Sequence, residues 1–245
     1  MDNNNLRNTE VSDLDFVSVT GQNRLLKASF SWMALAMLLT SVSALLFASV
    51  PELTSTLYVN TDLGLKPTVF AYIVMFSPLA FILAINFGLN RMSFPTLIGV
   101  FVSFAIVMGI SLSSIFYVYN IDSITKVFLS TTALFALMAI AGYTTKTDLT
   151  KLGSILMIGV LGIVIASLIN MFLGSAKMDY IISILGVVVF TGLTAYDVQK
   201  IKNLGYQVEG QAIASKLGII GALTLYLDFI NLFLFLLRLF GGKKD

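Results

Sequence analysis

Long apolar runs without a charge alternate with short polar stretches along almost the whole chain, and the spacing of the charges predicts the elements. Lys27 and Glu52 are separated by 24 uncharged residues, as are Lys66 and Arg91, while 25 separate Lys151 from Lys177. Roughly 20 apolar residues cross the hydrocarbon of a bilayer as a helix. A helix also pairs its own backbone groups, which lipid cannot do. The pattern predicts spans near 28–50, 67–90, 95–119, 127–143, 152–174 and 178–199, with a seventh from about 217 to 240. The expected organisation is a polar N-terminal tail over 1–27, a seven-helix membrane domain over 28–240 and a short C-terminal tail over 241–245. The fold class is all-α and polytopic.

The tail carries Asp2, Glu10, Asp13 and Asp15 and is expected to begin disordered. The apolar run that follows it is too long for the core of a secretory signal. Pro51, Pro67 and Pro95 fall at span ends, as helix punctuation should, and Pro78 falls inside the second span. Gly162, Ala166 and Asn170 recur every four residues on the fifth span and predict a close-approach face.

Composition excludes most alternatives to this picture. The chain is 57% hydrophobic and 11% charged, with a mean hydropathy of +0.91; a soluble protein carries roughly 25% charged residues. The net charge is +2 and the 15 basic residues are scattered, so there is no electrostatic footprint for nucleic acid. Cysteine is absent, which removes disulfides and thiolate chemistry. Histidine is absent too, and with it the usual switch near neutral pH and the usual metal ligand. No cofactor is expected, and proton chemistry is left to carboxylates, lysines and tyrosines.

Orientation follows the placement of lysine and arginine. With a cytoplasmic N-terminus, the inner segments hold Arg7, Arg24, Lys27, Arg91, Lys146, Lys151, Lys200, Lys202 and Lys216, while the outer loops hold Lys66, Lys126 and Lys177. Arg238, Lys243 and Lys244 join the outside if the seventh helix crosses. Its length favours crossing and its charges favour a return; crossing is the reading taken. The expected arrangement is an integral membrane protein with its N-terminus in the cytoplasm.

Two aspartates stand where charge is costly. Asp228 lies about 16 Å along the last span, counting 1.5 Å per residue. An ionised aspartate near the bilayer centre costs on the order of 2.5–3.5 kcal/mol. It shares one helix face with Gly221, Thr224 and Asn231, and the other faces are Leu, Ile and Phe, so this face is expected to turn into the bundle. Asp197 follows Tyr196 near the inner end of the sixth span. Two carboxyls on consecutive membrane helices, if they meet, titrate as a unit, and in a chain without histidine they are the expected pH sensor. They also offer oxygen ligands for a divalent cation in transit, a weak site at most. Simple depth counting places Asp228 about two turns deeper than Asp197, so the pair requires the last helix to start later or to shift inward. Arg91 stands at the inner end of the second span, in the leaflet of Asp197. A salt bridge between them would hold an inner gate while Asp197 is charged. The stretch from Gly142 to Leu149 reads as a tight cytoplasmic turn, and Ser111, Ser113 and Ser114 as backbone-bonded.

At these residues the chain resembles the Bax inhibitor family, the transmembrane Bax-inhibitor-motif proteins, in its bacterial form. Leu225-Tyr226-Leu227-Asp228-Phe229-Ile230-Asn231-Leu232-Phe233, followed by Leu237-Arg238, is similar to the family's C-terminal signature. Ala195-Tyr196-Asp197-Val198-Gln199-Lys200-Ile201 resembles its sixth-helix motif. Gly109-Ile110-Ser111-Leu112-Ser113 and Gly142-Tyr143-Thr144-Thr145-Lys146 fit in the same order. The resemblance covers essentially everything after the tail. It implies a seven-helix fold with the last helix central and surrounded by the other six, and a pH-sensitive leak of Ca²⁺. It places the family's aspartate pair on Asp197 and Asp228 and its latch arginine on Arg91. Bacterial relatives can carry a glutamate in the second helix, but the stretch Phe76-Ser77-Pro78-Leu79-Ala80-Phe81 has no acid.

The leading function is therefore a pH-sensitive leak channel for cations, with Ca²⁺ or other cations in transit and the bilayer as partners, and no enzyme activity. The alternative is a regulatory protein that binds other membrane proteins, such as a membrane protease. An intramembrane aspartyl protease would need a Gly-x-Gly before its second aspartate, where this chain has Leu225-Tyr226-Leu227. A proton-coupled transporter would be expected to show inverted repeats or paired broken helices, which the sequence lacks.

Overall fold

A computed structural model describes the backbone of residues 3–61, 64–208, 211 and 213–244, with side chains described from Arg24 onward apart from those of residues 60, 64 and 65. Its long elements are α1 (Asn3–Ser49), then a short α2 (Pro51–Leu57), strands β1 (Tyr58–Thr61) and β2 (Gly64–Pro67), and α3 (Val69–Gly88). They continue with α4 (Phe94–Leu112), a one-turn α5 (Ile115–Val118), α6 (Ile121–Thr144), α7 (Thr150–Leu173), α8 (Ala176–Val208) and α9 (Ala214–Phe240). Seven of these segments are long and apolar enough to cross a membrane, among them Arg24–Ser49 within α1 and Phe94–Val118 across α4 and α5.

The helix ends are written in local chemistry. Thr68 and Ser93 accept hydrogen bonds from the amides of Ala71 and Thr96 and so cap α3 and α4. Pro51 and Pro95 occupy first-turn positions, where a missing N–H costs nothing. Gly174 closes α7 in the left-handed conformation, φ 62°. Pro78 lies inside α3, which continues through it. Ser113 and Ser114 donate to the carbonyls of Ile110 and Ser111 where α4 gives way to α5.

Several boundaries differ from the hydropathy reading. The helix that carries the first span begins at Asn3, so the tail is helical from that residue; Met1 and Asp2 lie outside the described residues. The fourth span starts at Ile121, six residues early. The sixth continues nine residues past 199, to Val208. In each case the helix runs on past the apolar stretch, because a helix satisfies its backbone in water as well as in lipid. The connection before α3 also holds an antiparallel hairpin, Tyr58 opposite Pro67 and Val59 opposite Lys66, inserted into an otherwise helical chain.

α9 is the axis of the bundle. It packs against α1, α8, α6 and α4, while α3 packs chiefly on α4 and α7 on α8. Four helices rather than six thus form the main wall around α9. The helix runs for 27 residues without a break and is long and apolar enough to cross a membrane. Its end is fastened on the far side: Gly242 O accepts from Asn120 N at 3.0 Å, Lys244 N donates to Val118 O at 3.0 Å, and Lys244 Nζ donates to Phe116 O at 2.9 Å. Nearby, Arg238 pairs with Asp179 at 3.7 Å, so part of the basic charge that argued against crossing is engaged locally.

Close approach is concentrated at glycines other than the stripe read from the fifth span. Gly162 is exposed and a side chain there would meet nothing, so Gly162, Ala166 and Asn170 do not form a tightly packed face. Gly142 instead lies in the last turn of α6 directly against the backbone of Ala195, and the turn itself begins only at Thr145. Gly109 of α4 lies equally close to Thr40 and Ser43 of α1.

Candidate functional site: a buried carboxyl pair

Asp197 lies 11 residues before the end of α8 (208 − 197) and Asp228 lies 14 residues after the start of α9 (228 − 214). At 1.5 Å per residue these are depths of about 16 and 21 Å from the same end of the bundle, so the two-turn mismatch shrinks to less than one turn. The extension of α8 to Val208 makes this possible. The two carboxyl groups face each other across the α8–α9 contact. A hydrogen bond between two carboxyls needs a proton on one of them, because two ionised groups offer only acceptors. Asp197 is 6% exposed and Asp228 4%, so the pair is sealed in this arrangement. Oδ2 of Asp228 is buried and has no hydrogen-bond partner.

The walls explain the seal. Tyr226, two residues before Asp228, is fully buried; its hydroxyl is 2.7 Å from Thr40 Oγ1, which donates to Ala105 O at 2.8 Å. Its ring meets Phe104 edge-on, with centroids 5.4 Å apart. This contact joins α1, α4 and α9 on a face of α9 other than that of Asp228. Gly221 is buried against Ser29 of α1. Thr224 and Asn231 are half-buried and donate to the carbonyls of Ile220 and Leu227 on their own helix, at 3.1 and 2.8 Å. The polar face of α9 therefore turns inward, as its sequence indicates, but it is packed rather than opened to water.

The structure brings Asp197 and Asp228 together and leaves Arg91 apart. Arg91 is exposed in the turn between α3 and α4 and forms no ion pair among the described residues. That turn is tied to the start of α9, where Lys216 Nζ donates to Leu89 O at 3.3 Å. Lys216 precedes Asp228 by 12 residues, or about 18 Å of helix, farther than an arginine side chain spans. The cation whose field reaches both carboxyls is Lys200, one turn beyond Asp197 and set over the ring of Tyr196.

Three residues quoted within the motifs had been given no role of their own: Lys200, Tyr226 and Gln199. Gln199 is buried, accepts from Leu149 N at 2.8 Å and donates to Thr147 O at 2.9 Å, fastening the α6–α7 turn to the helix of Asp197. A polar amide two residues after a membrane aspartate was the available signal. In the same turn, Asp148 Oδ1 accepts from the amide and hydroxyl of Thr150, which hold its carboxyl below the usual carboxylate range.

A helical membrane protein whose last, central span carries an acid paired with one on the span before it is a narrow class. Residues 22–245 match the family model described as inhibitor of apoptosis-promoting Bax1, and the chain belongs to this Bax inhibitor family. It is similar to an uncharacterized protein of Rickettsia prowazekii, 39% identical over 225 residues and 92% of both chains. It is also 39% identical over 217 residues to the inner membrane protein YbhL of Escherichia coli, covering 88% of this chain and 90% of that one. A Borreliella burgdorferi protein is 38% identical over 225 residues, 91% of this chain and 94% of the relative. The chain is thus an integral membrane protein with bacterial relatives, one of them named for the inner membrane.

Proposed function

We propose that the protein is a proton-controlled leak pathway for cations, Ca²⁺ foremost, in a bacterial inner membrane, with its N-terminus cytoplasmic. The observation that carries the reading is the sealed carboxyl pair on α8 and α9. Asp197 has two mutually exclusive partners. With one proton between the carboxyls it holds Asp228, and Arg91 stands free. Fully ionised, the two carboxylates repel, and Asp197 turns to the cations on its own side, Lys200 and, after an inward shift of the 88–93 turn, Arg91. That ionic contact is the latch. Loss of charge at Asp197 releases the latch, whereas loss of charge at Asp228 removes charge from the path, so the two effects of acidification oppose each other. Flux is greatest between these limits.

Carboxylate oxygens suit hard divalent cations. Two carboxyl groups make at most a weak site for a cation in transit. Conduction requires that weakness. Asp197→Asn cannot hold Arg91 ionically and should leak Ca²⁺ at neutral pH in proteoliposomes. Asp228→Asn should lower Ca²⁺ flux about tenfold, equivalent to roughly 1.4 kcal/mol of lost cation stabilisation. Flux identical to the native chain in both variants would remove the leak reading and leave the regulatory, partner-binding one. Orientation is tested separately: single cysteines at Ser55 and Lys126 label from outside intact cells, and one at Thr147 does not. Labelling at Thr147 would reverse the topology.

A further inference from the structure

The wall around α9 has a seam. α1 and α6 both pack on α9, yet they make little contact with each other. On the side where α1 enters the bundle, a groove of about 670 Å³ opens between them. Leu26, Phe30 and Ser31 line it from α1 and Ala136, Ala139 and Ile140 from α6. Small side chains at Ala136 and Ala139 leave the space that a larger residue would fill. The floor is the buried Val198 of α8, the immediate neighbour of Asp197. From Tyr143 to Ala136 the groove descends seven residues of α6, about 10 Å, which is the depth of an acyl-chain segment.

Its rim is cationic. Lys27 lines the mouth from α1. Across from it, Lys202 of α8 lies 4.9 Å from the ring centre of Tyr143 and donates to Tyr143 O at 2.8 Å, which anchors its ammonium at the other edge. Lys27 in the lining and Lys202 on Tyr143 thus put two ammonium groups at one end of an apolar trench. Phosphate oxygens at the top and a hydrocarbon chain below are the complement of that arrangement, and neutral headgroups gain nothing from it.

We propose that this groove is a binding site for one anionic phospholipid of the leaflet on the α1-entry side, its phosphate between Lys27 and Lys202 and an acyl chain lying against Val198. The site goes beyond the leak reading and does not depend on it. An occupied groove places lipid hydrocarbon directly behind the residue adjoining Asp197, so lipid composition acts on the packing of the carboxyl pair.

The chain has no cysteine, so a single fluorophore can be attached at Ile140→Cys in the groove, with Ile158→Cys on the lipid face of α7 as the control. The full-length protein is reconstituted in phosphatidylcholine bilayers containing a small fraction of either chain-brominated phosphatidylglycerol or chain-brominated phosphatidylcholine. The expected result is stronger quenching by brominated phosphatidylglycerol at Ile140→Cys and equal quenching by the two lipids at Ile158→Cys. Lys27→Gln with Lys202→Gln, at an exposed and a half-buried residue, should weaken the phosphatidylglycerol preference about fivefold per lysine. Equal quenching by both lipids at Ile140→Cys, or a preference unchanged in the double variant, overturns the proposal.

Discussion

α7 and α9 are both long, uninterrupted apolar helices, and they occupy opposite places in the molecule. α7 is the most apolar of the seven spans, and only 11% of its apolar window is buried; α9 carries an aspartate in its middle, and 72% of its window is buried. In water the order would be reversed. A lipid solvent gives apolar side chains no reason to hide, so helices associate through close packing and polar contacts. The span that cannot tolerate lipid becomes the axis. The acid in α9 is therefore an architectural statement before it is a functional one: it has to be enclosed, and the helices that enclose it make the site.

This contrast can be broken by moving features between the two helices. The largest effect is expected at Tyr226, which holds α1 and α4 to α9. Tyr226→Ala should destabilise the fold by about 3–5 kcal/mol, the range for deleting a large buried aromatic. Phe172→Ala on α7, at a side chain 84% exposed, should leave the unfolding midpoint in detergent almost unchanged. Equal losses at both positions would mean that α7 also packs inward. Next comes the acid itself. Leu161→Asp puts a carboxyl on the lipid face of α7 and should cost about 2.5–3.5 kcal/mol in a membrane-insertion assay. Native-like insertion would show that a lone acid is tolerated without enclosure. A smaller effect is expected where backbones touch: Gly142→Leu forces α6 away from Ala195 and should cost about 1–3 kcal/mol. Gly162→Leu, facing open space, should be silent in the same thermal-unfolding measurement.

Much of the α9 side of this comparison was legible in the sequence. Charges are so sparse that every gap between them outlines a span, and the absence of histidine and cysteine leaves Asp197 and Asp228 as the residues needing an explanation. What hydropathy could not give was where helices end. It marks the exit from hydrocarbon, not the end of the hydrogen-bond ladder, so the charges at Lys200 and Lys202 looked like the terminus of α8 although the helix continues to Val208. That error placed Asp197 too shallow and brought it artificially level with Arg91. The glycine reading failed for a related reason. A four-residue repeat shows that a close face is available, but only the partner decides whether it is used, as at Gly142 and not at Gly162. The α1–α6 groove had no sequence signal, since it is made by two helices not meeting.

The central claim, that the proton shared by Asp197 and Asp228 controls cation passage, is tested most directly by Ca²⁺ flux into proteoliposomes across a pH series. The native chain, Asp197→Asn and Asp228→Asn should be compared at equal reconstituted amounts. The native profile should pass through a maximum, because neutralising Asp197 raises flux while neutralising Asp228 lowers it. Asp197→Asn should lose the rising limb on acidification and leak at neutral pH, and Asp228→Asn should stay low throughout. Three superimposable profiles would contradict the account and reduce the carboxyl pair to a structural contact.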